Sequence, residues 1–465
     1  MTHLDKNSLE RLIRSMRGDV LLADDPRYEA ARAIWNGMID RRPGVIARCA
    51  GADDVGQAIA FAREHDLPLA IRGGGHNIAG SALCDDGVVI DLSTLRAVHI
   101  DPGTRRATVE PGARLADFDR EAQAFGLATP LGINSTTGVA GLTLGGGFGW
   151  ASRKYGLTVD NLVAADVVTA DGRQVTASAA ENPDLFWALR GGGGNFGVVT
   201  RFEFNLHQVG PEVFCGLVVF PFDQASSILR KYREFVAGIP PELNAWVVLR
   251  QAPPLPFLPE PVHGKMVVVC PVFYLGDPDR GRHLIEPLRR FAPVLGEHVG
   301  PTPYVAWQQA FDPLLTEGAR NYWKSHDFAE LSDGAIDTTV AYAGKLPSPQ
   351  CEIFIGLLGG EVSKVAPEAT AYAHRQAPFV MNVHARWESA SDDAACIGWA
   401  RAFFNASAQY ATGGVYVNFM TQDEASRVAD AYGPNLARLK RVKKAFDPQN
   451  VFRLNQNIAP EAVAA

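Results

Sequence analysis

Residues 71–80 read Ile71-Arg72-Gly73-Gly74-Gly75-His76-Asn77-Ile78-Ala79-Gly80, directly after the apolar run Leu67-Pro68-Leu69-Ala70. A pyrophosphate is best held by several backbone N–H groups converging on one concavity. That demands close approach and backbone angles that glycine adopts without strain. Gly73, Gly74 and Gly75 can supply such a nest. Arg72 adds a cation that offsets phosphate charge directly or through the packing of the loop, and His76 places a ring nitrogen at the rim. Taken alone, the decapeptide reads equally well as a tight strand-to-loop turn carrying a surface histidine. Upstream, residues 54–65 space apolar groups as a helix does, and Leu67 to Ile71 reads as a short buried strand. The glycine loop therefore closes an α/β unit.

Downstream, Val88–Leu92, Ala97–Ile100 and Arg106–Glu110 read as consecutive strands, Leu115–Phe125 as a helix and Leu162–Thr169 as a strand turned by Asp171-Gly172. The stretch Gly132-Ile133-Asn134-Ser135-Thr136-Thr137-Gly138 is taken as a strand, followed by the glycine loop Gly145-Gly146-Gly147-Phe148-Gly149. Gly192, Gly194 and Gly197 satisfy the Gly-x-Gly-x-x-Gly pattern of dinucleotide binding. A Rossmann fingerprint must follow a strand and open a helix. This one follows the helical run Asp184–Arg190 and opens the alternating run Val198–Phe204, so an NAD-type site is rejected. From about residue 206 to 415, Pro-rich connectors such as Ala252–Pro261 separate apolar strand-like runs: Lys265–Tyr274, Cys351–Leu358 and Val380–Trp387. Residues 425–445 read as one or two helices, stopped at Asp447-Pro448.

The Arg-x-Gly-Gly-His character of the opening segment resembles the loop of FAD-linked oxidases of the vanillyl-alcohol oxidase and p-cresol methylhydroxylase superfamily. Further matches are Gly145–Gly149, Arg153-Lys154-Tyr155-Gly156-Leu157, Asp160-Asn161, Tyr416-Val417-Asn418, Tyr432-Gly433, Phe446–Phe452 and Asn455-Gln456-Asn457-Ile458. Together they are similar to the berberine bridge enzyme-like branch and its 6-hydroxy-D-nicotine oxidase-type members. The resemblance implies an α+β fold with a two-part FAD-binding domain of the p-cresol methylhydroxylase type, residues 1–205 and 416–465. Between them, residues 206–415 form an α+β substrate domain built on an antiparallel sheet. It also implies FAD held covalently by His76 through the flavin 8α-methyl group. Expected cofactor contacts are Arg72, Gly73, Gly74, Gly75, His76, Asn77, Asn134, Thr137, Gly138, Gly145, Gly146, Gly147, Phe148, Gly197, Val199, Tyr416, Asn418 and Asn455. Many relatives have cysteine where this chain has Asn134 and form a second flavin bond there; one link, at His76, is expected here.

Two departures bear on catalysis. Phe148 stands where alcohol-oxidising members carry a tyrosine base, and the strand Phe379–His384 lacks the glutamate of ring-closing members. The remaining candidates are Tyr416, Tyr322 and His384, with Lys324, His326 and Arg386 nearby in sequence. Tyr416 ranks first, as a base if a cation such as Lys324 lowers its pKa. On an extended strand Asn382, His384 and Arg386 share a face.

The chain has 465 residues and a net charge of -7, which gives no electrostatic reason to expect nucleic acid or an anionic membrane. A small-molecule substrate is expected, with O2 as the simplest electron acceptor; Thr137, small and polar on the flavin wall, leaves oxygen access open but does not separate oxidase from dehydrogenase, and oligomeric state is not readable. The N-terminus has no signal-peptide pattern and no window is apolar enough to span a bilayer, so a cytoplasmic location is expected. The six cysteines are widely spaced and read as free thiols, and no metal-ligand spacing is present. The resulting expectation is an FAD-dependent oxidoreductase that takes a hydride from a small aromatic or alicyclic alcohol, amine or related metabolite. Alternatives are a biosynthetic enzyme of oxidative cyclisation and a flavin-holding protein with a decayed site.

Overall fold

The computed structural model describes residues 6–461. The first sheet contains β1 (Asp19–Leu21), β2 (Val45–Arg48), β3 (Leu69–Arg72) and β4 (Val88–Asp91) in the order β1-β2-β4-β3. β2 and β3 both run parallel to β4, and the helix Ala52–Glu64 makes the crossover, burying Val55, Ala58, Ile59 and Phe61. Parallel strands bury both faces, which is why Leu69-Ala70 and Val88-Val89-Ile90 are uninterrupted apolar runs. β3 delivers the chain into Gly73 at its carboxyl end, where ligands of parallel sheets bind.

The second sheet is antiparallel. It contains β5 (Val98–Asp101), β6 (Arg106–Val109), β8 (Leu162–Val168), β9 (Gln174–Ser178) and β10 (Val198–Asn205), ordered β5-β6-β10-β8-β9. Short strands β7 (Leu127–Ala128) and β11 (His207–Gln208) pair beside it. The three strands read as consecutive around residues 88–110 are thus divided between two sheets: β4 pairs with β2 and β3, while β5 and β6 pair with each other. Helix Pro183–Leu189 precedes the 191–197 glycine loop and β10 follows it, the reverse of a Rossmann turn.

The third sheet spans β12 (Glu212–Pro221), β13 (Leu243–Ala245), β14 (Val247–Gln251), β15 (Met266–Tyr274), β16 (Gly296–Pro303), β17 (Arg320–Phe328), β18 (Glu352–Leu357) and β19 (Phe379–Trp387). Its order is β16-β12-β15-β14-β18-β19-β17, with β13 also on β15, all antiparallel. Helices Asp333–Ala343 and Asp393–Ser407 cover one face, and Asn36, ahead of β2, ties the chain to β17 by hydrogen bonds with Asn321. All nine residues of β19 are buried, as a strand covered on both sides requires.

The chain then returns to the first two sheets. Lys443, on the helix Leu436–Phe446, is fully buried and donates to the carbonyls of Asn195 and Phe452 and to Asp447. Asn195 in turn accepts from the Ile458 N–H and donates to the Gln456 carbonyl. The segment 456–458 therefore lies along the 191–197 loop. Among the described residues all six cysteines are free and buried, no cluster of metal-ligating side chains occurs, and no helix is long and apolar enough to cross a membrane.

Candidate active site

An elongated cavity of about 300 Å³ runs between the sheets. Its first wall is the loop after β3. A Cβ on Gly73 would stand 2.8 Å from the Pro111 carbonyl oxygen, and one on Gly74 would stand 2.4 Å from the Gly138 Cα. Two backbones touch here, so the wall can be built only from residues without side chains. Gly73, Gly74, Gly75, His76 and Asn77 line the cavity. Arg72 does not: its guanidinium turns back to the Ala31 carbonyl and packs on Gly75. Of its two expected uses, the structure has the packing one.

The second wall corrects the sequence reading. Residues 132–138 are a series of turns, not a strand, because Asn134 caps the local chain: its Oδ1 accepts from the Thr136 N–H and hydroxyl. Asn134, Thr137, Gly138, Gly145 and Phe148 line the cavity. Gly146 and Gly147 do not; a Cβ on Gly146 would strike the Tyr372 ring, and the Gly147 N–H donates to the Tyr416 hydroxyl. Gly146 makes room for the Tyr372 ring and Gly147 for the Thr158 side chain. Gly197 and Val199 line the far end with Gly193 and Gly194, beside Asn455 and Gln456 from the returning C-terminal segment.

His76 is sandwiched by design of its neighbours. Its ring stacks on Trp35 at 4.8 Å and 22°, and its Nε2 lies 2.8 Å from the Thr136 hydroxyl. Thr136 gives its own proton to Asn134 Oδ1 at 2.6 Å, so it accepts from His76 Nε2–H. The lone pair then sits on Nδ1. Burial, with Arg114 and Arg386 adding to it, holds the imidazole down to about 3, so the ring is neutral. A neutral, oriented imidazole with a free lone pair is a nucleophile.

The roof is the large sheet, and its register assembles the remaining polar groups. Arg250 is opposite Glu352, Glu352 opposite His384, and His384 opposite Trp323, one residue from each of β14, β18, β19 and β17. Arg250 holds Glu352 at 2.7 Å, and Glu352 accepts from His384 Nδ1 at 3.2 Å. Burial raises the Glu352 carboxyl, but Arg250 and His384 outweigh it and bring it down to about 2. Burial lowers His384 against the pull of Glu352. Because the carboxylate can only accept, Nδ1 carries the proton and Nε2 the lone pair; Nε2 has no partner among the described residues. Neither atom of the Asn382 amide has one, nor do the indole N–H groups of Trp246 and Trp323. Buried polar groups left open around a cavity are groups that await a ligand.

Asn382 and His384 line the cavity; Arg386 does not line it, but lies over Trp35, which does, and donates to Thr316. Three other candidates are misplaced by the same alternation. Tyr322, Lys324 and His326 point to the opposite face of β17, where Tyr322 donates to Asp423, Lys324 pairs with Asp423 and Glu424, and His326 stacks on Phe404. Tyr416 does line the cavity with Asn418. Its hydroxyl accepts from Gly147 and Asn418, yet burial raises it to about 12, and Lys324 is not among the groups acting on it. It is therefore a hydroxyl donor at neutral pH, not a base. Trp35, Trp246, Arg250 and Glu352 escape sequence reading. For Glu352 a signal existed: a lone carboxylate in an otherwise apolar strand must have a buried partner.

The small-residue walls and the set of open donors fit an FAD. A family model described as an FAD binding domain matches residues 43–178, and one described as berberine and berberine like matches residues 415–459. The chain is similar to (R)-6-hydroxynicotine oxidase of Paenarthrobacter nicotinovorans, 32% identical over 96% of this chain and 98% of that one. Xylooligosaccharide oxidase of Thermothelomyces thermophilus is 28% identical over 99% of this chain and 96% of its own. The solved structure of 6-hydroxy-D-nicotine oxidase from Arthrobacter nicotinovorans has a TM-score of 0.86 at 29% identity, covering 96% of this chain and 99% of that one.

Proposed function

The chain belongs to the berberine bridge enzyme-like family of FAD-linked oxidoreductases, and on that premise we propose that it is an oxidase of a small alcohol or amine, with FAD attached once, through His76, and O2 as electron acceptor. The observation that carries this reading is the Arg250–Glu352–His384 row, which aims an unpartnered, lone-pair-bearing Nε2 into the cavity that His76 also lines.

Bound there, FAD supplies the hydride acceptor, at its N5. Gly73 to Gly75, Thr137, Gly138, Gly145 and the 193–199 segment would hold it, and His76 Nδ1 is the atom available for the covalent link. No cysteine lines the cavity and Asn134 occupies the place of the second link, so one attachment is supported. The family's usual bases are absent, but a carboxylate enters from β18 instead of β19 and acts through a histidine. His384 Nε2 takes the O–H or N–H proton of the substrate. Glu352 then stabilises the imidazolium, and Arg250 keeps Glu352 ionised. A positioned base of this kind is worth about a hundredfold to ten-thousandfold in rate. Asn382, with both amide atoms open, orients the same polar head. This intact relay speaks against a decayed site.

The test is anaerobic mixing of the purified protein with a panel of aryl alcohols and amines while flavin absorbance is followed, then admission of air. Bleaching by at least one compound and recovery in air are expected, with His384→Ala slowing bleaching by about a hundredfold or more. In parallel, flavin fluorescence should stay on the band in a denaturing gel and vanish in His76→Ala. A flavin that no member of the panel bleaches would remove the oxidase reading; one that washes out of the wild type would remove the covalent link.

A further inference from the structure

A second cavity, of about 60 Å³, adjoins the first. That is several times the ~10–15 Å³ that admits one water molecule. Its floor is the face of the large sheet carrying Val219, Val248, Val269 and Phe354. Its roof is the Pro-rich connector between β14 and β15, which sets Pro253, Leu255 and Leu258 onto that floor. The connector is therefore more than a linker. Ile133, Trp246, Leu315, Glu352 and Phe354 line both cavities, so a molecule whose head meets His384 can pass its body past Trp246 and Phe354 into the second.

On the oxidase reading above, we infer that this chamber receives the non-reacting part of the substrate, and that this part is an aryl or alkyl body, not a hydroxyl-bearing sugar. Arg250, the one cation in the lining, is held by Glu352 and the Gln251 carbonyl. The indole N–H groups of Trp150 and Trp246 have no acceptor, so an ether or carbonyl oxygen can be met there. A hydroxyl must also donate, and Glu352, already engaged by Arg250 and His384, is the sole side-chain carboxylate in the lining. A pocket of this kind discriminates on the order of a hundredfold against a buried hydroxyl. Apolar carbon gains instead, about fourfold in affinity per methylene.

The test is calorimetric titration of the purified holoprotein with benzyl alcohol, 4-butylbenzyl alcohol and xylobiose. The butyl compound is expected to bind on the order of a hundredfold more tightly than benzyl alcohol, and xylobiose more weakly than either. Val248→Trp fills the chamber from its floor, and Leu255→Trp from its half-exposed roof, where folding is least at risk. Each should erase the butyl gain and leave benzyl alcohol unchanged. Equal binding of the two alcohols, a gain that survives both substitutions, or xylobiose binding more tightly than the butyl compound overturns the assignment. Flavin absorbance of the same samples separates the two readings. If the butyl gain is present and chamber-dependent but neither these alcohols nor any member of the alcohol and amine panel bleaches the flavin, the oxidase reading fails and the chamber stands.

Discussion

Glu352 and His384 illustrate how two ionisable side chains, each unremarkable alone, acquire a role from each other. Burial disfavours the charge on both: Arg250 and the hydrogen bond from His384 nevertheless keep the carboxylate ionised, while burial outweighs the pull of Glu352 and lowers the imidazole, the pairing the proposed general base needs. The sign of the pH effect follows. His384 lies below its ordinary value near 6.5, so the acid limb of kcat/KM should fall below that pH. Glu352 raises His384, so Glu352→Gln lowers it further: the limb moves to lower pH while the plateau falls, because a weaker base accepts the proton. A pH profile with a substrate found by flavin bleaching checks this; a plateau that drops without any move of the limb would reduce Glu352 to a packing role. Stability has its own window. The depressed Glu352 pKa contributes stability that is present above the ordinary carboxylate range and is lost as pH falls toward about 2. At this scale His76 and His384 were readable from sequence, as residue types capable of the chemistry. Tyr322, Lys324 and His326 were also named there, but they lie on the face of β17 away from the cavity, since which face a strand residue takes depends on what covers the strand.

Among the elements, the glycine loop after β3 was the most legible, because its function requires backbone to touch backbone and few residues permit that. Gly74 makes the point measurable. An added Cβ would meet the Gly138 Cα and N at 2.4 and 2.6 Å, and neither can yield like a side-chain tip. Gly74→Ala should cost about 1–3 kcal/mol in unfolding free energy and leave less flavin on the purified protein. Gly51→Ala, where a Cβ meets nothing within 4 Å and the backbone is extended, should do neither. Thermal unfolding and the flavin-to-protein absorbance ratio are the two readouts. The 132–138 stretch was less legible: its Thr and Ile content suggests strand, but the Asn134 side chain competes for the backbone donors and turns the chain. The row across β14, β18, β19 and β17 could not be read at all. It is a matter of register among four strands separated by up to 134 residues (250 to 384), and register is set by the packing of both sheet faces.

The whole molecule is closed by its C-terminal return, and Lys443 is its fastening. With no exposure and three acceptors within 2.8 Å, its ammonium joins the last helix to the 191–197 loop and to Phe452. Lys443→Met would leave Asp447 charged, buried and without its cation, at about 3–5 kcal/mol, though Val451 and Phe452 N–H groups still reach it. Denaturant titration should show that loss, and the double variant Lys443→Met, Asp447→Asn should recover part of it. Flavin retention should fall with the single variant, because Gly193, Gly194 and Gly197 belong to the loop that Lys443 pins. Local chemistry lets the amino-acid sequence determine what is local: the glycine loop that ends in His76, the rejection of a Rossmann turn, and the α+β alternation, each decided by backbone sterics or by a short hydrophobic period. The tertiary structure alone decided which strand faces meet the cavity, that Glu352 of a neighbouring strand stands against His384, and that a Pro-rich connector roofs a second chamber. Those outcomes depend on pairing and burial between residues far apart in the chain, which no spacing within a single segment encodes.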